Sequence, residues 1–117
     1  MTDLQEFIKI TRDTLARLSP DSNLFLTRFR TIDELKAVIN KDLEDLEQGD
    51  LNKLINVYIH FAPTGTFSEI WIDDQWEKEE LDVCGRIDEL YARLKFRKKT
   101  LSDIDKIKLW FSKLLNV

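Results

Sequence analysis

Apolar residues recur at helical spacing along most of this chain. Leu4, Phe7, Ile8, Thr11, Leu15 and Leu18 fall on one stripe, with Thr2 or Asp3 placed to cap the segment and Ser19-Pro20-Asp21 to stop it. A capping box of Thr31 with Glu34 opens a second run, in which Ile32, Leu35, Val38, Ile39, Leu43 and Leu46 share a face and Gly49 marks the end. Asp50 can cap a third segment. There Leu51, Leu54, Ile55, Tyr58 and Phe61 form a stripe while Val57 and Ile59 fill other sides, the pattern of a helix buried all round. The period returns from Trp76 through Glu80, Val83, Cys84, Ile87, Leu90, Tyr91 and Leu94. After Lys98-Lys99-Thr100 a fifth segment carries Ile104, Ile107, Trp110, Phe111, Leu114 and Leu115.

Two stretches stay open on local rules. Leu24 to Arg30 alternates loosely through Phe25, Thr27 and Phe29, which fits a short extended piece or a helical turn. Beyond Pro63-Thr64-Gly65, residues 67–72 fit a helical turn on Phe67, Ile70 and Trp71 or a short strand with Ser68, Ile70 and Ile72 on one side. The pattern predicts a mainly α fold, an irregular bundle of about five helices in one domain over residues 1–117. A short hairpin near residues 57–72 is the α+β alternative.

Composition agrees with a packed core. The chain has 117 residues, 43% hydrophobic and 34% charged, with no fixed-period repeat and no Gly/Ser- or Pro-rich linker. No apolar run reaches the roughly 18 to 20 residues that span a bilayer, and the start, Met1-Thr2-Asp3-Leu4-Gln5-Glu6, lacks the basic and apolar regions of a signal peptide. The single Cys84 can form no internal disulfide, which points to a reducing cytoplasm.

The inventory for catalysis is thin. His60 is the only histidine and stands among Val57, Ile59 and Phe61, so it reads as structural rather than as a ligand or general base. Cys84 lies on an apolar stripe, where burial favours the neutral thiol, and reads as core. The adjacent pairs Asp73-Asp74 and Glu79-Glu80 point in different directions on a helix and do not form an acid/base pair. Gly-rich phosphate loops and the Asp-x-Asp-x-Asp calcium loop are absent from the sequence. No enzyme activity, cofactor or metal is expected.

Charge changes the picture more. The net charge of −4 conceals a segregation: residues 31–90 hold 16 acidic and 5 basic side chains, a balance of −11, while residues 91–117 hold 2 acidic and 8 basic, a balance of +6. One reading is internal, with the basic segment lying beside an acidic neighbour. The other is functional. Asp42, Glu44, Asp45, Glu47 and Asp50, with Asp73, Asp74, Glu77, Glu79 and Glu80, form an acidic belt suited to steering and holding a basic protein partner. Trp71 and Trp76 flank Asp73 and Asp74, and aromatic anchors beside charges are common at interfaces, although core packing is the simpler role for both. The candidate contact set is Asp42, Glu44, Asp45, Glu47, Asp73, Asp74, Trp76, Glu77 and Glu80. The cluster Arg93, Lys95, Arg97, Lys98 and Lys99 could touch phosphates, but a pI near 5.0 speaks against nucleic acid as the main ligand.

The segment ending Phe61-Ala62-Pro63-Thr64-Gly65, followed by Ser68-Glu69-Ile70 and Gln75-Trp76 before an acidic helix, resembles small bacterial toxin-immunity proteins over the middle third of the chain. The resemblance implies an intracellular antidote that binds a cognate toxin and blocks its active site without catalysis of its own; it carries over no functional residue. The expected function is therefore a non-catalytic, cytoplasmic, protein-binding module, an immunity-type inhibitor of a basic toxin domain. The alternative is a structural or regulatory helical module that self-associates.

Overall fold

A computed structural model describes the backbone of residues 1–20, 24, 29–62, 65–67, 70 and 77–115, and the side chains of these residues except 77–81, 98–106, 109 and 112–115. The fold is mainly helical, and no strand occurs among the described residues. The elements are α1 (Asp3–Arg17), α2 (Ile32–Glu47), a 3-10 turn (Leu51–Lys53), α3 (Leu54–Tyr58), a second 3-10 turn (Ile59–Phe61) and α4 (Glu77–Leu115).

The first two helices begin and end where local chemistry places them. Thr2 caps α1: its hydroxyl accepts from the Gln5 N–H at 3.1 Å while the Gln5 side chain accepts from the Thr2 N–H at 2.9 Å, so two end donors are satisfied reciprocally. Thr31 caps α2 by accepting from the Glu34 N–H at 3.0 Å, and the Glu34 carboxylate reaches back one residue further, to the Arg30 N–H at 3.2 Å. The exit from α2 is a Schellman turn. Gly49, at φ +94°, donates to the Leu46 carbonyl, and Asp50 donates to that of Asp45, both at 3.0 Å.

The third segment is less regular than its stripe predicts. Only five residues are α-helical, flanked by two 3-10 turns, because Asp50 caps Asn52 in a tight turn and the chain must leave helical conformation at Ala62, which precedes Pro63 and sits at φ −64°, ψ 156°. Nor is it buried all round: Leu54, Val57, His60 and Phe61 face the core, while Ile55 and Ile59 face outward. The hairpin alternative fails among the described residues, since 57–61 are helical or 3-10 and Thr66, Phe67 and Ile70 are helical too. Of the open stretch 24–30, Leu24 is half-buried and Phe29 is buried in non-helical chain; 25–28 lie outside the described residues.

The predicted fourth and fifth helices are one. Lys98-Lys99-Thr100 contains no breaker, lysine is a good helix former, and neither Gly nor Pro follows Gly85, so nothing in the backbone chemistry ends the helix before Leu115. At about 1.5 Å per residue, 39 residues run about 58 Å, which accounts for most of the 64 Å long axis of a molecule only 26 by 25 Å in cross-section.

The core lies between these helices. Phe7 and Leu15 of α1, Leu35, Ile39, Leu43 and Leu46 of α2, Val57 of α3, Phe67 and Ile70, and Ile87, Leu90 and Leu94 of α4 are all buried. Phe67 packs its ring 4.7 Å from that of Phe61, centroid to centroid. A chain of ions ties α1 to α4: Arg86 forks onto Glu6, Arg93 lies 3.6 Å from Asp3, and both arginines bond Glu89 between them. Tyr58 ties α3 to α4, stacking on Tyr91 at 3.8 Å and donating to Asp88 at 2.7 Å.

Candidate partner-binding surface

The acidic residues of α2 are already engaged to different degrees. Asp45 is half-buried and accepts from Lys41 at 3.1 Å, with Lys53 at 4.0 Å, and Glu47 is paired with Arg12 across to α1. Asp42 is half-buried and Glu44 exposed. Part of the belt therefore balances cations of its own fold, and the cations that pair with Asp45 and Glu47 come from α1, α2 and the 3-10 turn rather than from the basic segment 91–117. Asp73, Asp74, Trp71 and Trp76 lie outside the described residues, and Glu77 and Glu80 stand in the first turn of α4.

The two candidate chemical residues are placed firmly. His60 is buried, with Nδ1 2.9 Å from the Thr66 hydroxyl and its ring about 6 Å from those of Phe29 and Phe67. This is the satisfied structural histidine of the sequence reading. Cys84 corrects its expectation: it is half-buried rather than buried, packed on the edge of the core with Sγ 3.5 Å from the Phe61 carbonyl oxygen. It sits on the flank of α4 rather than at the centre of its buried stripe. Among the described residues no group of histidine, cysteine and carboxylate side chains could hold a metal ion. A groove of about 400 Å³ between α1 and the end of α2 is lined by Gln5, Ile8, Lys9, Arg12, Asp13 and Glu47, and ion pairs within it bind Lys9 to Asp13 and Arg12 to Glu47. No helix of the described residues is long and apolar enough to cross a membrane.

The more informative surface lies elsewhere. Leu94 is the last buried residue described on α4, and the described apolar residues beyond it, Phe96, Ile107, Trp110 and Phe111, are exposed, the last three by 55%, 59% and 52%. Trp110 and Phe111 meet edge to face with centroids 5.3 Å apart. The cause is a change of phase. A residue advances about 100° around a helix, so Ile107, thirteen positions beyond Leu94, is rotated by about 140° from the core-facing side. Two apolar stripes thus lie on nearly opposite sides of one helix, one packed on α1 and α3, the other presented outward. Exposed Lys95, Arg97 and Lys108 accompany the second stripe.

Sequence reading by separate helices missed this surface, because each half of α4 is amphipathic on its own terms and Trp110 and Phe111 then look like core. The missed signal was in the sequence: the stripe 83, 87, 90, 94 does not continue in phase with 107, 110, 111. Comparison with protein-family models, with curated proteins and with solved structures gives no match to this chain.

Proposed function

We propose that this chain is a non-catalytic protein-binding module that engages its partner through the projecting half of α4. The carrying observation is the exposure of Ile107, Trp110 and Phe111 together on a helix that outruns its own core. Large apolar side chains clustered on a surface mark interaction sites, and tryptophan is enriched among the residues that dominate binding energy. The flanking lysines and arginine supply a polar rim. The test places a photo-crosslinking amino acid at position 110 in cells that make the protein. A discrete cross-linked protein species is expected; labelling no stronger than from a control at exposed Ala16 overturns the reading.

The charge balance of −11 over residues 31–90, with Glu44 exposed on α2, supports a second and narrower reading. In it the protein is an immunity-type inhibitor in the bacterial cytoplasm, and the acidic residues of α2 and of the 73–80 stretch hold a basic toxin domain. Charge of this kind speeds encounter and is screened by salt. Reversal of Asp73 and Asp74 to lysine then weakens binding to a toxin encoded beside it at least tenfold, about 1.4 kcal/mol. Unchanged affinity by calorimetry with the fold intact rules that face out.

A further inference from the structure

The surface that covers the projecting stripe must combine apolar contact with negative charge, because residues 91–117 carry a balance of +6. Two projecting halves lying side by side meet the first requirement and fail the second: their like charges face each other along the contact. The body of the same chain meets both. It carries the −11 balance of residues 31–90, and it exposes Ile55 of α3 by 46% and Ile59 of the 3-10 turn that follows it by 49%, four residues apart, next to Tyr58 and its acceptor Asp88. The body's own α4 cannot supply the covering helix, since it continues as one unbroken helix for about 30 Å beyond Leu94 and does not turn back.

Area decides how many contacts are needed. A helix about 10 Å wide and 30 Å long covers about 300 Å² and hides about 600 Å² counting both sides, half of the roughly 1,200 Å² at which stable interfaces begin. Two such contacts reach that size. Resting on the binding reading above, we infer that the partner is a second copy of this chain: the projecting half of each α4 docks on the Ile55–Ile59 face of the other, in a reciprocal two-fold dimer.

Sedimentation of the full-length protein tests this. A dimer is expected at low salt, weakening as salt is raised, and Trp110→Ala and Ile59→Glu, both at exposed positions, are each expected to be monomeric with unchanged helicity. Mixing these two variants separates the modes of pairing. One has an intact face and the other an intact projecting half, so a heterodimer with one of the two contacts restored is expected only at protein concentrations well above those the wild-type dimer needs, where neither variant pairs with itself; pairing of the projecting halves with each other predicts no heterodimer. Neutralising Arg97→Gln with Lys108→Gln is expected to weaken the dimer about tenfold, whereas relief of repulsion between paired halves would strengthen it. A monomer at every salt and concentration overturns the inference. It then leaves the binding reading standing if position 110 cross-links to a different protein, and removes it if position 110 cross-links to nothing. Binding of a monomeric protein to vesicles of anionic lipid through Trp110, seen as a fluorescence shift lost in Trp110→Ala, also overturns the dimer.

Discussion

At the residue scale, the loop that follows α3 is held by close approaches that leave little tolerance. A Cβ built on Gly65 would stand 2.4 Å from the Ile59 carbonyl oxygen and 2.8 Å from that of His60, both backbone atoms that cannot swing aside. Gly65→Ala is therefore expected to destabilise the fold by about 1 to 3 kcal/mol in denaturant melts, the usual cost of forced overpacking. Gly49 is demanding for a different reason: space around it is open, but its φ of +94° is strained for any residue with a Cβ. Beside Gly65, the Thr66 hydroxyl meets buried His60. Thr66→Val keeps the shape and removes the hydrogen-bonding group, so a loss of about 1 to 2 kcal/mol is expected, read by chemical denaturation; no loss would show that this contact contributes little. Cys84 is packed but half-accessible, so its native labelling by a thiol reagent should be slower than in denaturant yet complete without global unfolding.

At the scale of elements, the described apolar residues of α4 divide into buried ones up to Leu94 and exposed ones beyond it. Leu94→Ala opens a cavity in the core and is expected to cost about 2 to 4 kcal/mol, while Ile107→Ala, at an exposed position, should change stability of the monomer by less than about 0.5 kcal/mol. Equal losses at both sites would mean that the projecting half packs on its own body. The α3–α4 contact has a spectroscopic signature. Donation from Tyr58 to Asp88 favours the neutral phenol and pushes its pKa up to about 12 from the ordinary 10. A raised pKa means that the contact stabilises the fold fully below pH 10 and is lost as pH rises through 12. Tyrosinate absorbance should show one late-titrating phenol that Asp88→Asn brings back toward 10.

For the whole molecule, shape and acid response follow from the long helix and its ion chain. The radius of gyration of 17.5 Å exceeds the roughly 13 Å of a compact chain of this length, because the 39-residue α4 draws the molecule out along one 64 Å axis. Small-angle scattering of the Trp110→Ala variant should return the larger value; one near 13 Å would place the helix folded back. The hydrogen bond from Arg86 holds the Glu6 carboxyl below its ordinary 4.5, with Arg93 adding to the effect. A depressed carboxylate stabilises the fold above its unfolded pKa, and that contribution disappears as pH falls through the lowered value. Glu6→Gln should flatten the acid limb of the stability curve below pH 4.5 while leaving its alkaline limb unchanged.

Short-range chemistry accounts for what was legible in the sequence alone. Helix class, the Thr2 and Thr31 caps, the Gly49 exit and the apolar faces of α1 and α2 depend on neighbours three or four residues apart, and these interactions are written locally. The structural role of His60 was readable too, from its apolar neighbours, although its partner Thr66 was not. Tertiary structure alone decided the rest. Whether a stripe is covered depends on which element lies against it, and period by itself is silent on that: Leu94 and Trp110 belong to equally regular patterns, yet α1 and α3 reach one and not the other. Charge divides the same way: the Lys41–Asp45 pair follows from i,i+4 spacing within α2, whereas only the fold revealed that Arg12 meets Glu47 and that Lys53 approaches Asp45, since packing brings these cations in.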